Sequence, residues 1–139
     1  MRPNESIIIV GAERANMHSG YRQTFTFEGP FQDNRPLDDL GRLSHYVCAI
    51  DALHMPGVFE FKPEGLAREL NKAYVGFLGD VHERHAEAPN LPVVTGKWGC
   101  GAFACDKHLK AIVQWLAASQ ASRRMIFAKF GDSDLNLFP

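Results

Sequence analysis

"TGKWGCGAFACDKHLKAIVQWL", residues 95–116, is the stretch that decides the fold. A loop containing Gly99, Gly101 and Phe103 runs into a segment of helical period, with Leu109, Ile112, Val113 and Leu116 recurring on one face. Asp106 stands where a side chain caps such a helix, expected over 106–121, and Arg123 and Arg124 follow at its negative end. Before the loop, "LPVVTG" (91–96) reads as a short strand closed by Gly96; after the helix, "RMIFAKFGD" (124–132) reads as another, again stopped by glycine. Strand, glycine loop, helix, strand is a crossover unit whose strands run parallel. An α/β layered fold follows, with ligands expected at the C-terminal edges of the strands.

The upstream half extends the pattern. "SIIIVGAE" (6–13) reads as a short buried strand, and the alternation in "RQTFTFEG" (22–29) as a half-exposed one. Residues 29–44, rich in Pro, Gly, Asp and Asn, form an irregular connection. "HYVCAIDAL" (45–53) is apolar on both faces and is expected to be a central strand. Pro63 opens a helix through "EGLARELNKAYVGFL", in which Leu66, Leu70, Ala73, Tyr74, Phe77 and Leu78 are expected to form the buried stripe. "GDVHERHAEAPN" (79–90) reads as a polar loop.

A chain of 139 residues makes one domain with a modest core. Its net charge of −1 gives no overall field to draw in nucleic acid or an acidic membrane, so neither is expected as a partner. No apolar run reaches membrane-spanning length, and "MRPNES" has no apolar signal-peptide region. Cys48, Cys100 and Cys105 are odd in number and form no CxxC pair, which points to reduced thiols in an intracellular compartment, nuclear or cytoplasmic. The pairs His82/His85 and Cys105/His108 have ligand-like spacing but lack a local third ligand, so no metal is expected, and no cofactor.

The loop chemistry points to an anion. A strand-to-helix turn offers backbone N–H groups at the positive end of a helix, and glycines at 96, 99 and 101 let the main chain approach a ligand closely. That is a seat for a diphosphate, and it requires no net basic charge. The loop is neither GxxxxGK[ST] nor GxGxxG, since "GCGAFA" carries alanine at the third glycine position. On these residues alone a tight turn without ligand has an equal claim. Phe103 and Trp98 either pack on a ribose or base or fill the core beneath the turn, the second being favoured for Trp98. Phe130 is expected to emerge at the same sheet edge, completing a nucleoside diphosphate pocket. Cys100 suits the loop by its small size, and a helix-end setting would lower its pKa.

The stretches "IIIVGAE" (7–13), "SGYRQTF" (19–25), "AIDAL" (49–53) and "ELNKAYVGFL" (69–78), and above all residues 95–132, resemble the poly(ADP-ribose) glycohydrolase family, in the later part of its catalytic macrodomain. The resemblance implies one partial catalytic domain over residues 1–139, a mixed sheet flanked by helices, without its N-terminal catalytic portion. It implies hydrolysis of the ribose–ribose O-glycosidic bonds of poly(ADP-ribose), hence reversal of ADP-ribosylation and a place in the DNA damage response. Carried over by position, Trp98, Gly99, Cys100, Gly101 and Ala102 fall in the diphosphate loop, Phe103 beside the ribose and Phe130 on the adenine. Lys97 replaces the family's usual asparagine, and is read equally as added affinity for phosphate or as an exposed neighbour. His18 falls at a substrate-contacting tyrosine, with Tyr21 as the matching tyrosine of "GY".

One departure bears on chemistry. The family's signature is a triple glycine followed by Gln-Glu-Glu, and this chain holds neither a Gly-Gly nor a Glu-Glu pair. Glycosidic cleavage needs a carboxylic acid and a stabilising carboxylate. Glu13 and Asp51 read as turn carboxylates, so no catalytic residue is assigned and the chain alone is expected to be inactive. Three readings remain: the ADP-ribose-binding half of a glycohydrolase, an inactive ADP-ribose-binding module, or a structural remnant. A partner chain completing the sheet is compatible with each.

Overall fold

A computed structural model describes residues 1–20, 22–79 and 91–137. Tyr21 and the polar loop holding His82 and His85 therefore lie outside the described residues. Two compact units are present, one of residues 8–47 and one of residues 1–7 with 48 onward.

The first unit carries an antiparallel hairpin, β2 (Asn16–Ser19) against β3 (Thr26–Pro30), with a bulge between Met17 and His18. The strand expected over 22–29 thus starts later, because residues 22–24 take a 3-10 turn. Within the irregular connection, Asp38 accepts hydrogen bonds from the amides of Leu40 and Arg42 and pairs with the Arg42 guanidinium, while Leu37 bridges to the buried Leu43. β1 (Ile7–Val10) and β4 (Tyr46–Ala49) form a two-stranded sheet. Neither is enclosed as expected. Ile7 and Ile9 are exposed on one face of β1, and Val47 and Cys48 are exposed in β4, so the strand read as central is not covered on both faces among the described residues.

The second unit holds the crossover. β5 (Val93–Gly96) pairs in parallel with β6 (Met125–Ala128), Val94 facing Ile126 in register. Helix α1 (Pro63–Leu78) packs on α2 (Lys107–Gln120), the latter capped by the Asp106 side chain on the amide of Leu109. Small residues make the close approach possible: Ala73, Ala117 and Ala118 are buried with Phe77, and Val93, Trp98, Ile50 and Met125 pack against them. Gly76 admits Cys48 and Ile50, since a Cβ there would lie 2.7 Å from the Cys48 sulfur.

The expected stripes are met in part: Ala73 and Phe77 of α1 and Val113 of α2 are buried, but the buried faces are centred elsewhere. In α1 the buried positions are Gly65, Glu69, Lys72, Ala73, Gly76 and Phe77, with Leu70 and Leu78 exposed. In α2 they are Lys110, Ala111, Val113, Gln114, Ala117 and Ala118, with Ile112, Trp115 and Leu116 exposed. Ion pairing is the reason. The Lys110 ammonium meets the Glu69 carboxylate, lies 3.7 Å from the centre of the Trp98 ring, and is fully enclosed. Arg68 binds Glu69 and Asp51. Lys72 pairs with Asp51 at 3.0 Å and donates to the main-chain carbonyls of Arg2 and Glu5. Gln114 then joins α2 to β5, donating to the Gly96 carbonyl at 3.0 Å and accepting from the Thr95 hydroxyl at 2.6 Å. Every charge in this layer has a partner, which is what burial demands.

Burial, then the nearby Arg68 charge, push Lys110 down to about 8, with Glu60 opposing; the touching Glu69 carboxylate holds the charged form. Glu69→Ala should strand that ammonium and lower the unfolding free energy by about 3–5 kcal/mol. The double substitution Glu69→Leu/Lys110→Met, which removes both charges and fills their space with apolar groups, should recover most of the loss. Urea unfolding curves of the two variants read both effects.

Candidate ligand-binding site

The site forms where β5 and β6 end. Gly96 closes β5, and the loop after it is held by its own main chain: Trp98 N–H bonds Gly96 O, Cys100 N–H bonds Lys97 O, Ala104 N–H bonds Gly101 O and Cys105 N–H bonds Gly99 O. Such a loop needs left-handed backbone, supplied by Gly99 at φ 78° and, against its intrinsic preference, by Ala104 at φ 53°. Gly99 has no room for a side chain, since a Cβ would stand 2.7 Å from the Cβ of Ala52. Gly101 differs: a Cβ there meets nothing within 4 Å.

The turn after β6 faces this loop. Phe130 sits at φ 51°, a conformation that costs a bulky residue about 1–3 kcal/mol, and its ring edge lies against Gly96, 3.3 Å from where a Cβ would be. Yet the ring is 82% exposed. The ring therefore contributes little to packing and is open to contact from solvent. Loop and turn together edge a groove of about 980 Å³, which Gly57, Val58, Glu60 and Phe61 close from the other side.

Lys97, Cys100, Gly101 and Phe130 of the expected residues line this groove, joined by Asp106, Lys107 and Asp132. Ala102 and Phe103 lie on the exposed loop, with Phe103 edge-on to His54 at 5.0 Å between ring centres. Trp98 turns beneath the loop, its Nε1 donating to the Ile50 carbonyl under the Lys110 ammonium. His18 belongs to the other unit, where its ring stacks on Phe25 at 5.2 Å. Of the amides from 99 to 102, that of Cys100 is taken by the turn; those of Gly99, Gly101 and Ala102 have no protein acceptor among the described residues.

The electrostatics depart from the sequence reading at one point. The first amide of the helix entry, that of Asp106, is received by both carboxylate oxygens of Glu60 at 3.1 Å, and Asp106 itself caps Leu109. The positive end of α2 is thus partly occupied by the protein's own carboxylates. Positive charge comes from the groove wall, where Asp132 holds Lys107 through both oxygens, at 2.9 and 3.1 Å, and Lys97 at 3.5 Å. Those Lys107 bonds hold the Asp132 carboxyl below its ordinary range, and bonds to Asp134 and then Asp132 raise Lys107. Cys100 behaves opposite to expectation: burial, then the Asp106 and Glu60 charges, push it up to about 11, and burial, then Glu60, do the same to Cys105. Neither is a nucleophile near neutral pH. Asp51 is engaged by Arg68 and Lys72 in the helix layer. Burial alone would raise Asp51, but the Lys72 hydrogen bond and the two cations lower it.

Glu60, Lys107 and Asp132 were missed in the sequence. The "FGD" ending of the last strand was the only local signal for Asp132; nothing near Glu60 marks it, because its partner amide is 46 residues away. Among the described residues no cluster of three or more His, Cys, Asp or Glu side chains is arranged to hold a metal.

Comparison with known proteins agrees with this architecture. A family model described as "Poly (ADP-ribose) glycohydrolase (PARG), Macro domain fold" matches residues 1–137. The chain is 36% identical to Probable poly(ADP-ribose) glycohydrolase 2 of Arabidopsis thaliana over 165 aligned residues, covering 94% of this chain and 32% of that protein. It is 33% identical to Poly(ADP-ribose) glycohydrolase 1 of the same plant, covering 91% and 34%, and 37% identical to Poly(ADP-ribose) glycohydrolase 2 of Caenorhabditis elegans, covering 94% and 29%. It therefore spans about a third of the length of these relatives. With a macro domain fold matched over nearly all its residues, the chain belongs to the poly(ADP-ribose) glycohydrolase family.

Proposed function

We propose that this chain is the ADP-ribose-holding part of a poly(ADP-ribose) glycohydrolase, with Phe130 taking the adenine and the amides of Gly99, Gly101 and Ala102, with Lys97, taking the diphosphate. The observation that carries the reading is Phe130: an exposed ring in strained backbone that, with the open glycine loop, edges one groove. Stacking on an aromatic and backbone contact to a phosphate are both available there without net positive charge. Phe103 beside the ribose and His18 as a further contact belong to the same reading, by position in the family.

Turnover is not expected of these 139 residues by themselves, since they hold no Gly-Gly and no Glu-Glu pair and Glu60, the buried groove carboxylate, is committed to the Asp106 amide. In the longer protein the reading includes cleavage of poly(ADP-ribose), reversal of ADP-ribosylation in the DNA damage response, and a nuclear or cytoplasmic location; free thiols at Cys48, Cys100 and Cys105 fit a reducing compartment. An inactive ADP-ribose-binding module is the second reading, favoured by the same missing pairs. In either case a further polypeptide completing the sheet belongs to the reading, and a layer of that polypeptide over the β5–β6 pair would cover the face on which Val94 and Ile126 stand exposed.

Calorimetric titration with ADP-ribose is the test. Binding is expected, and Gly101→Val, which meets open space in the free protein, should weaken it at least about tenfold by occupying ligand space without shifting the unfolding temperature. Gly99→Ala should instead destabilise the fold, by about 1–3 kcal/mol, because its left-handed backbone and the Ala52 contact both resist a side chain. No heat and no thermal shift at high ADP-ribose concentration would refute the proposal. Release of ADP-ribose from the polymer by the purified chain, above a Phe103→Ala/Phe130→Ala control, would refute the expected lack of turnover.

A further inference from the structure

We propose that Lys107 is a specificity residue of this groove: positioned by Asp132 beside Lys97, it supplies the positive charge that selects a nucleoside diphosphate over an uncharged nucleoside. The proposal rests on the ADP-ribose reading above and assigns to a side chain the task that a helix N-terminus would otherwise perform.

The helix end is already occupied in part. Glu60, buried to 4% exposure, places both carboxylate oxygens on the Asp106 amide, and the Asp106 side chain takes the amide of Leu109. Two negative groups at that end offset the field that attracts anions to a helix N-terminus. A diphosphate entering the groove thus meets carboxylates at the helix entry and needs a cation elsewhere on the wall.

Lys97 and Lys107 are the lysines among the groove-lining residues, and they reach it from different elements, the end of β5 and the first turn of α2. Asp132 joins them, and one carboxylate cannot neutralise two ammonium groups. The other partner of Lys107 is Asp134, at 2.7 Å, whose side chain is 66% exposed. A pair so open to water and salt is weak and yields readily to a better-placed anion. Asp132 is the firmer anchor, gripping Lys107 with both oxygens from a side chain only 16% exposed. It stands two residues after Phe130 on the same turn, so ring and ammonium groups share one wall. A ligand with a flat base at one end and a diphosphate beside it matches that wall; a bare nucleoside matches only half.

Titration of ADP-ribose and of adenosine into the wild-type chain, Lys107→Ala and Lys107→Arg tests this. Lys107→Ala should weaken ADP-ribose about tenfold and leave adenosine unchanged, since a hydrogen bond between charged groups is lost and nothing apolar is. Lys107→Arg should restore most of the affinity, and Lys107→Ala should flatten the dependence of ADP-ribose affinity on salt. Unchanged ADP-ribose affinity in Lys107→Ala, with wild type binding normally, would overturn this inference alone. Equal losses for ADP-ribose and adenosine would also overturn it, marking the residue as structural. Failure of wild type to bind ADP-ribose would remove the reading beneath it as well.

Discussion

The second unit depends on one enclosed ion pair, the Lys110 ammonium against the Glu69 carboxylate, with the Trp98 ring as its third wall. Everything nearby is arranged so that these charges tolerate the absence of water. Arg68 steadies Glu69 from the same helix turn, and alanines bring α1 and α2 close enough for the contact. Trp98 is fixed on its ring face by the charge and at its edge by the Ile50 carbonyl. Because Trp98 opens the glycine loop, the ion pair beneath it sets the height and tilt of the ligand-facing residues that follow. Core and site are thus joined through one aromatic ring.

That join clarifies how a diphosphate seat differs from a bare helix terminus. The loop main chain closes on itself at four points, leaving amides of Gly99, Gly101 and Ala102 without an acceptor among the described residues, while the α2 entry is quenched by Glu60. On the reading proposed above, functions that the simplest picture assigns to one feature are divided: directionality falls to loop amides, charge to lysines on the wall, and shape to Phe130. That division would let a chain of net charge −1 present a local site for an anion.

Much of this was legible in the sequence. The loop, the strands on either side, the capping role of Asp106 and the emergence of Phe130 at the shared strand edge all follow from short-range signals such as glycine punctuation and a capping carboxylate. The buried faces of the helices were legible only in part: Ala73, Phe77 and Val113 are buried as expected. Hydrophobic periodicity assumes that charge stays outside, so it chose Leu70, Leu78, Ile112 and Leu116, while the protein buried Glu69, Lys72, Lys110 and Gln114. No local pattern announces that a lysine on one helix meets a glutamate 41 positions earlier (110 − 69). The same blindness hid Glu60 and Lys107, whose roles arise from partners distant in the chain. It also affected Cys100, whose helix-end position suggested an activated thiol until burial and neighbouring carboxylates reversed the sign.

Lys72 holds the stretch around Arg2 and Glu5 through carbonyl oxygens and not through side chains. A tether of that kind is indifferent to spelling, because every amino acid carries the same carbonyl. For this tether the spacing of positions 2 to 5 matters more than the side chains they carry. Deleting one of them would leave the Lys72 ammonium, midway along α1, with Asp51 as its remaining oxygen neighbour among the described residues, so a lysine on a distant helix acts as a ruler for this stretch.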